Sequence, residues 1–319
     1  MRAFFLLLTA LAAGSASLHA ASYPARPVRV IVPYAAGGSS DAIARLVSAR
    51  LSERLGQQFV VDNRAGGGTL IGTDIAAAAP PDGHTLLVAT PPLVVNPTLY
   101  PKVNYVLERD LAAVTNMAGS SNLLVVHPSL PAQSVKELVA LLRTQPRHYT
   151  YGSSGVGGAS HLAMALFEYL ARVEMVHVPY KGGAVAVTDL LGGRLQLAMA
   201  NLTTALPHIK TGRLRGLAIG TAQRSALLPD MPTVSEAGVP GYEANNWNGI
   251  VVPRATPAAI VEQLNRAIVA ALREPETSAR IAAAGLDVIG DSAPDFARYL
   301  RREGDKWGRL VKTAGIKAE

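Results

Sequence analysis

The stretch Arg29–Asp41 reads R-V-I-V-P-Y-A-A-G-G-S-S-D, and it decides how the chain folds. Its first residues form a continuous β-branched run, which is typical of a strand buried on both faces of a sheet. The glycine pair predicts a tight turn into a helix that begins at Ser39 or Ser40. A strand–turn–helix corner presents unpaired backbone N–H groups to whatever lies above it. We interpret it as half of an anion site, although a tight turn alone explains the glycines equally well.

Strands and helices alternate outward from this corner. The pattern predicts strands at 28–32, 59–61 and 85–89 with helices between them, which is a parallel βαβαβ unit. The proline-rich segment 90–100 shows no regular period and is predicted to be irregular. Strand-like runs then flank Gly119-Ser120-Ser121-Asn122, where we place the crossing into a second domain.

The second half of the chain repeats the α/β plan and then returns to the first domain. Residues 247–252 read as the returning strand, and Thr256-Pro257 reads as an N-cap with proline at the first helical position. The predicted division is a signal peptide at 1–21, a first domain at 22–120 plus 243–319, and a second domain at 121–242.

Composition supports a folded α/β protein and argues against nucleic-acid binding. Of 319 residues, 49% are hydrophobic and only 5% are aromatic. The net charge is +7, but the densest basic group, at 298–309, is interrupted by Glu303 and Asp305 at helical spacing. This pattern favours a solvated helix face over a phosphate-binding surface.

The amino terminus predicts export. Arg2 precedes an apolar run that is followed by small residues, as in a secretory signal, and the run is too short for a membrane anchor. The residues Ala20, Ala21 and Ser22 each fit the position before the cleavage site. We expect a periplasmic protein, and the absence of cysteine from the sequence means that it has no disulfides.

A matching corner lies in the second half, in the segment 151–162, Y-G-S-S-G-V-G-G-A-S-H-L. It again follows a predicted strand and precedes a predicted helix. Ser153, Ser154 and the glycines can point N–H and O–H groups at one place. Two such corners on two domains are more informative than one, because together they can enclose a carboxylate with backbone amides.

A third corner, Val178–Ala184, contains Tyr180 and Lys181, for which contact with a ligand and simple packing or exposure both remain open. The seven histidines show no metal-ligand spacing, so we predict no metal site. His161 is the one histidine near a predicted corner, and packing or capping is the simpler interpretation of it. Dinucleotide, P-loop and nucleophile-elbow motifs are incomplete or absent, so the sequence predicts neither a catalytic residue nor a cofactor.

From residue 23 to the carboxyl terminus, the sequence resembles the Bug, or tricarboxylate-binding receptor, family, the substrate-binding proteins of tripartite tricarboxylate transporters. The motifs that carry the resemblance are V-P-Y-A-A-G-G-S-S-D, V-V-D-N-R-A-G-G-G-T-L-I-G, P-D-G-H-T-L-L, Y-G-S-S-G-V-G-G-A-S-H-L, V-P-Y-K-G-G, D-L-L-G-G-R-L and W-N-G-I-V-V-P-R-A-T-P. Each is loose by itself, but their order along the chain is specific.

The resemblance implies a type II periplasmic-binding-protein fold, in which two α/β domains joined by two crossing segments close over a small organic acid. It implies that backbone amides, hydroxyls and bridging waters hold the ligand carboxylate. Carried over to this sequence, the implied ligand-binding residues are Tyr34, Gly37, Gly38, Ser39, Thr90, Ser153, Ser154, Gly155 and Asn201.

The chain departs from the family pattern in two places. Ala65 stands where relatives often have proline, which leaves that loop less rigid, and Thr90-Pro91-Pro92-Leu93 is unusually apolar. The second departure favours a ligand whose far end is less polar.

The predicted function is capture of a mono- or dicarboxylate by hinge closure and its delivery, by a monomeric protein, to a membrane permease. A receptor that signals to a membrane sensor kinase is the alternative, and its cleft would look the same. An enzyme of carboxylic-acid metabolism would need an acid–base pair in the cleft.

Overall fold

Two β-sheets, each flanked by helices, form the framework of the protein. Each sheet together with its helices is called a layer below. The computed structural model describes residues 23–180, 182–225 and 228–317, with the side chain of Thr203 left out; the predicted signal peptide and Lys181 lie outside these residues. Sheet 1 has the strand order β11-β4-β10-β3-β1-β2, and sheet 2 has the order β7-β6-β8-β5-β9. The strands of sheet 1 are β1 (Val28–Val32), β2 (Phe59–Asn63), β3 (Thr85–Ala89), β4 (Leu111–Ser120), β10 (Asn246–Pro253) and β11 (Asp287–Val288). Those of sheet 2 are β5 (Asn122–Val126), β6 (Thr150–Ser153), β7 (Val176–Pro179), β8 (Leu197–Asn201) and β9 (Arg215–Ile219).

The helices cover the faces of both sheets. Around sheet 1 they are α1 (Ser39–Leu55), α2 (Leu70–Ala77), α3 (Pro92–Leu99), α4 (Leu107–Asp110), α9 (Ala258–Leu272), α10 (Pro275–Ala283) and α11 (Ala293–Thr313). Around sheet 2 they are α5 (Val135–Thr144), α6 (Ala159–Ala171), α7 (Gly183–Leu191) and α8 (Leu202–Lys210). Within the described part of the chain, no helix combines the length and the apolar character needed to cross a membrane.

The predicted βαβαβ unit is present. Strand β1 pairs in parallel with β2 on one side and with β3 on the other. Strand β10 pairs antiparallel with β3 and with β4, so the strand that returns late in the chain lies in the middle of sheet 1. The fold is α/β, with two α/β layers joined by two crossing segments, as the type II periplasmic-binding-protein prediction requires.

The two crossing segments run side by side. Strand β4 continues into β5 with only Ser121 between them, so one nearly continuous extended segment passes from sheet 1 to sheet 2. The second crossing leads from β9 to β10. The Gly220 N–H donates to Asn122 O at 2.7 Å, so a backbone hydrogen bond ties the two crossings together. The Ala244 N–H donates to Gly220 O at 2.9 Å within the second crossing.

Several local predictions were wrong. The N-cap of α1 is Gly38 and not Ser39 or Ser40, and the N-cap of α9 is Pro257, while the Thr256 hydroxyl donates instead to Pro253 O. The segment predicted to be irregular contains α3, because its prolines at 91 and 92 occupy the helix start, where a missing N–H costs nothing. Helix α8 and strand β11 were not predicted.

The cores of the two layers meet beneath the crossings. Trp247 of β10 is fully buried and packs edge-on against Phe296 and Tyr299 of α11, with ring centroids 5.7 and 5.8 Å apart. Helix α11 packs on β4 and α3 and also reaches α6 beside sheet 2. The long terminal helix therefore stabilises the junction between the layers.

Candidate functional site

A cleft lies between the two layers, at the carboxyl ends of β1 and β6. It has two lobes, which share the lining residues Gly38, Ser39, Ser154, Ala159 and Asn246. One lobe, of about 530 Å³, extends towards Asn201 and is called the Asn201 lobe. The other, of about 520 Å³, extends towards Thr90 and is called the Thr90 lobe. Crevices at the carboxyl ends of parallel strands are the usual ligand sites of open α/β sheets.

The first-domain corner is held in shape by its own hydrogen bonds. The Asn63 side-chain amide donates to Tyr34 O at 3.1 Å and to the Asp41 carboxylate at 2.9 Å. The Gly37 N–H donates to the same carboxylate at 3.0 Å. Hydrogen bonding, chiefly from Arg45, lowers the pKa of Asp41 to about 2, so this residue is an anion that braces the loop from behind.

The amides at the start of α1 face the cleft. The first intrahelical bond runs from the Ala42 N–H to Gly38 O, so the N–H groups of Gly38, Ser39 and Ser40 have no acceptor within the helix. The N-cap residue is Gly38, which has no side chain to accept a hydrogen bond from these amides. These amides, together with the helix dipole, form a region of positive potential at the shared part of the two lobes.

The second-domain corner is the segment Ser153–Gly158, which we call the serine–glycine loop. The Ser154 hydroxyl lies 3.0 Å from the Ser160 hydroxyl, and both residues line the Asn201 lobe. The Ser154 N–H donates to Ser160 Oγ at 2.9 Å. Helix α6 begins directly after this loop with Gly158 as its N-cap, again without a side-chain capping bond.

A third helix begins at the same cleft. The N-cap of α7 is Gly182, which lines the Thr90 lobe, and Gly183 lines the Asn201 lobe. This cap also makes no side-chain bond. By contrast, Ser134 and Ser292, whose helices α5 and α11 begin away from both lobes, accept hydrogen bonds from their own helix amides. Helices α1, α6 and α7 thus present glycine caps and backbone amides to the cleft.

Hydroxyls, amides and apolar groups make up the described lining of the cleft. The Tyr34 hydroxyl lies 2.9 Å from Thr90 Oγ1, and burial raises the pKa of Tyr34, so the phenol keeps its proton and can donate. The walls of the Thr90 lobe are mostly apolar and include Pro91, Pro92 and Leu99. This lobe therefore suits the less polar part of a ligand.

Most of the predicted site residues come together here. The Thr90 lobe contains Tyr34, Gly38, Ser39, Thr90 and Ser154, and the Asn201 lobe contains Gly37, Gly38, Ser39, Ser153, Ser154 and Asn201.

Two of the predicted residues have their polar groups turned to other partners. Gly155 lines neither lobe, and its N–H donates to Ser153 Oγ at 3.1 Å. Ser153 is buried, and its hydroxyl lies 2.6 Å from His177 Nε2 on the side away from the cleft. Both of these hydrogen bonds stabilise the shape of the loop.

Sequence reasoning missed further polar residues of the cleft. These include Ser160 at the start of α6, Asn122 at the crossing from β4 to β5, and Asn246 at the start of β10. Ser160 belongs to the segment 151–162, so it could have been predicted from the sequence. The two asparagines lie far from that motif in sequence and reach the cleft only through the crossings.

Comparison with known proteins identifies a family and relatives that match nearly the whole chain. The family model for the tripartite tricarboxylate transporter family receptor matches residues 43–316. Protein BugT of Bordetella pertussis is 36% identical over 306 residues, which cover 95% of this chain and 94% of BugT.

Two solved structures extend the comparison to ligand complexes. The structure of R. palustris Rpa4515 with adipate has a TM-score of 0.81 and 39% identity, and the match covers 92% of this chain and 99% of that one. The structure of MatC from Rhodopseudomonas palustris with bound malate has a TM-score of 0.78 and 29% identity, over 91% and 100% of the two chains.

The fold, with a ligand cleft between its two sheets, is shared with solved periplasmic binding proteins, and this places the chain in the class of solute-binding proteins. Within that class, the chain belongs to the tripartite tricarboxylate transporter receptor family, and the resemblance given by its motifs is confirmed. It is a binding receptor and not an enzyme.

Proposed function

We propose that this protein is a periplasmic receptor that closes its two domains over a small mono- or dicarboxylate and delivers it to the permease of a tripartite tricarboxylate transporter. One observation carries the proposal: α1, α6 and α7 all begin at the cleft with glycine caps and no side-chain capping bond. A carboxylate placed there accepts backbone N–H groups from both domains.

Closure follows from the division of the site between the layers. The α1 amides belong to one domain, and those of α6 and α7 belong to the other. A carboxylate that contacts both sets binds the closed form more tightly than the open one, and so it shifts the population towards closure. The domain division is part of the proposal, with hinges where β4 passes into β5 and where β9 leads back to β10.

The ligand class rests on the shape and polarity of the two lobes. The related proteins with adipate and with malate hold dicarboxylates. In this chain, one carboxylate would lie at the shared amides, while the apolar walls around Pro91, Pro92 and Leu99 would contact a methylene chain. We therefore propose a ligand of the adipate type over malate, because the longer methylene chain of adipate would bury more apolar surface against these side chains.

A thermal-shift screen tests the ligand class. Protein produced without residues 1–21 is heated with adipate, malate, shorter and longer dicarboxylates, monocarboxylates and a tricarboxylate. A ligand present at 100 times its Kd stabilises the fold by about 2.7 kcal/mol, which gives a clear rise in Tm. Adipate is expected to give a larger shift than malate. A flat response to every carboxylate would contradict the proposed function.

Delivery to a permease needs a separate test in cells. Uptake of the ligand found in the screen is measured with and without the genes for the transporter's membrane subunits. Loss of uptake on their deletion supports a transport role. Unchanged uptake together with a ligand-dependent change in gene expression would favour the sensor-kinase alternative instead.

A further inference from the structure

Two histidines lie stacked directly behind the serine–glycine loop. The rings of His161 on α6 and His177 on β7 are parallel within 5°, with centroids 3.9 Å apart. Tyr151 stacks on His177 at 5.0 Å, because β6 and β7 pair in register at these two residues, and its ring lies 6.5 Å from that of His161. The three rings form a cluster on the side of the loop away from the ligand cleft.

Each histidine is hydrogen-bonded to the loop. The Gly157 N–H donates to His161 Nδ1 at 3.0 Å, so this nitrogen must be unprotonated and the ring proton is on Nε2. His177 Nε2 lies 2.6 Å from the Ser153 hydroxyl, which also accepts the Gly155 N–H. The pair therefore holds both ends of the loop that carries the second half of the ligand site.

The loop is a thin wall between two cavities. Val156 lines the Thr90 lobe on one side and a cavity of about 840 Å³ on the other, which we call the side cavity. His161 and His177 both line the side cavity. Water in this cavity can bring protons to the histidines without passing through the ligand site.

We propose that His161 and His177 are positioning residues that keep the serine–glycine loop in its ligand-binding shape, and that protonation of His161 from the side cavity releases the loop and weakens ligand binding. The inference rests on the proposed function, because it assigns regulation to the same site. A proton on His161 Nδ1 would face the Gly157 N–H and would abolish the hydrogen bond that fixes the loop.

The surroundings of His161 favour its neutral state at pH 7. Burial, and then the neighbouring His177, lower the pKa of His161 to about 4. The other ionisable groups that line the side cavity are three cations (Arg143, Arg172 and Lys317), two carboxyl groups (Glu168 and Glu174) and two tyrosines (Tyr151 and Tyr169). Burial raises the pKa of Glu168 to about 7, so this carboxyl group becomes neutral as the pH falls and does not hold a proton on the histidines.

Two variants of His161 separate positioning from packing. In His161→Asn, the side-chain oxygen can accept the Gly157 N–H but cannot titrate in the same range, whereas His161→Leu fills the space without an acceptor. With adipate as the probe at pH 7, we expect His161→Leu to raise Kd about tenfold, the size of effect typical for a lost buried hydrogen bond, and His161→Asn to leave it near the wild-type value. The exposed His148, in the same domain, provides the control His148→Asn.

The pH profile is the second readout. Between pH 7 and pH 4, the wild-type Kd should rise about twofold more than that of His161→Asn, since half of His161 is protonated at its pKa of about 4. Protonation of adipate itself affects both proteins equally, so it cancels when their changes in Kd are compared. Equal profiles for the two proteins, or unchanged affinity in a folded His161→Leu, would overturn the proposal.

A ligand-free measurement keeps the two proposals distinguishable. Hydrogen exchange of the loop amides at 153–158, corrected for intrinsic rates, should be faster in His161→Leu than in the wild type and restored in His161→Asn. Absence of adipate binding with this exchange pattern intact would count against the adipate assignment alone. Adipate binding with identical exchange in all variants would overturn the positioning role.

Discussion

Gly38 has ordinary backbone angles, φ −81° and ψ 171°, and open space where a side chain would begin. Any residue can adopt this conformation, so the fold does not require glycine here. We predict that Gly38→Val leaves Tm within about 2 °C of the wild-type value, because a surface change without strain costs little. Its side chain projects into the cleft, and we expect Kd for a carboxylate to rise at least about tenfold by titration calorimetry, through loss of backbone approach.

Gly192 provides the matched control for this experiment. It ends α7 with φ −83°, and an added Cβ would meet only ordinary contacts at 3.7 Å. Gly192→Val lies outside both lobes and should not change affinity. Equal affinity for Gly38→Val and Gly192→Val would place the anion elsewhere in the cleft.

Asp41 braces the first corner through Gly37, Asn63 and Arg45. Its folded-state pKa of about 2 is below the ordinary value of 3.8, so its carboxylate stabilises the fold above pH 4, and this contribution is lost as the pH falls from 4 towards 2. Because Arg45 is 53% exposed, solvent screens the pair, and we expect Asp41→Asn to cost only about 1 kcal/mol at pH 7.

Denaturant unfolding of Asp41→Asn and the wild type at several pH values tests this assignment. The difference between their free energies of unfolding should shrink between pH 4 and pH 2. A constant difference across that range would show that the carboxylate charge is not what braces the loop. Lys102, a solvent-exposed residue outside both lobes, serves for a control substitution, Lys102→Gln.

At the scale of the elements, β10 and α11 meet at a contact that leaves no room for a side chain. A Cβ added at Gly249 would overlap the Phe296 ring and lie 2.9 Å from Thr115 O. We predict that Gly249→Ala destabilises the protein by about 1–3 kcal/mol in chemical unfolding, the usual cost of overpacking.

Gly304 in the middle of α11 gives the opposite prediction. A Cβ there would meet only Val94 Cβ, at 3.9 Å. Alanine restricts the unfolded chain and favours the helix, so Gly304→Ala should raise the free energy of unfolding by about 0.5–1 kcal/mol. If both alanine variants had the same stability as the wild type, the close packing of α11 on β10 would be contradicted.

Local patterns predicted the elements whose determinants lie close together in sequence. The strands at 28–32 and 85–89 each follow from a short run of adjacent residues, and both were predicted correctly. Helix α3 was missed because proline reads as a helix breaker, yet only Pro97 lies inside it. The length of β4 was missed because its final residues continue into the crossing rather than ending at a turn.

The candidate site also has parts that could be predicted from the sequence and parts that could not. The glycine and serine corners could be predicted because each is a contiguous motif whose geometry follows from its own residues. The contact between His161 and His177 could not, because it depends on the pairing of β6 with β7 and on the packing of α6. The hydrogen-bond partner of the Gly155 N–H could not be predicted for the same reason: it is the Ser153 hydroxyl, which lies beside His177 behind the loop.

At the scale of the whole molecule, domain closure should be visible in tryptophan fluorescence. The sequence contains two tryptophans. Trp247 lies at the returning crossing and lines a cavity of about 400 Å³ together with Asn245 and Thr221 from the connection to sheet 2. Hinge motion should change this cavity, so we predict that a carboxylate shifts or quenches the emission of the wild type.

Single substitutions assign the fluorescence change. Trp247→Phe should lose most of the ligand-dependent signal, whereas Trp307→Phe should retain it, because Trp307 is buried within the packing of α11. Calorimetry confirms that both variants still bind. A signal that is lost in Trp307→Phe would mean that the change arises in α11 and not at the crossing.

The central position of β10 in sheet 1 also determines the order in which the two sheets can form during synthesis. Sheet 2 is built from one continuous piece of chain, from Asn122 to Ile219, and can form as soon as that piece has emerged. Sheet 1 cannot be completed before residues 246–253 are synthesised, because β10 is the strand that pairs with both β3 and β4. A chain interrupted before that point would present two unpaired strand edges to its neighbours, so aggregation of nascent protein should be concentrated in the interval before β10 inserts.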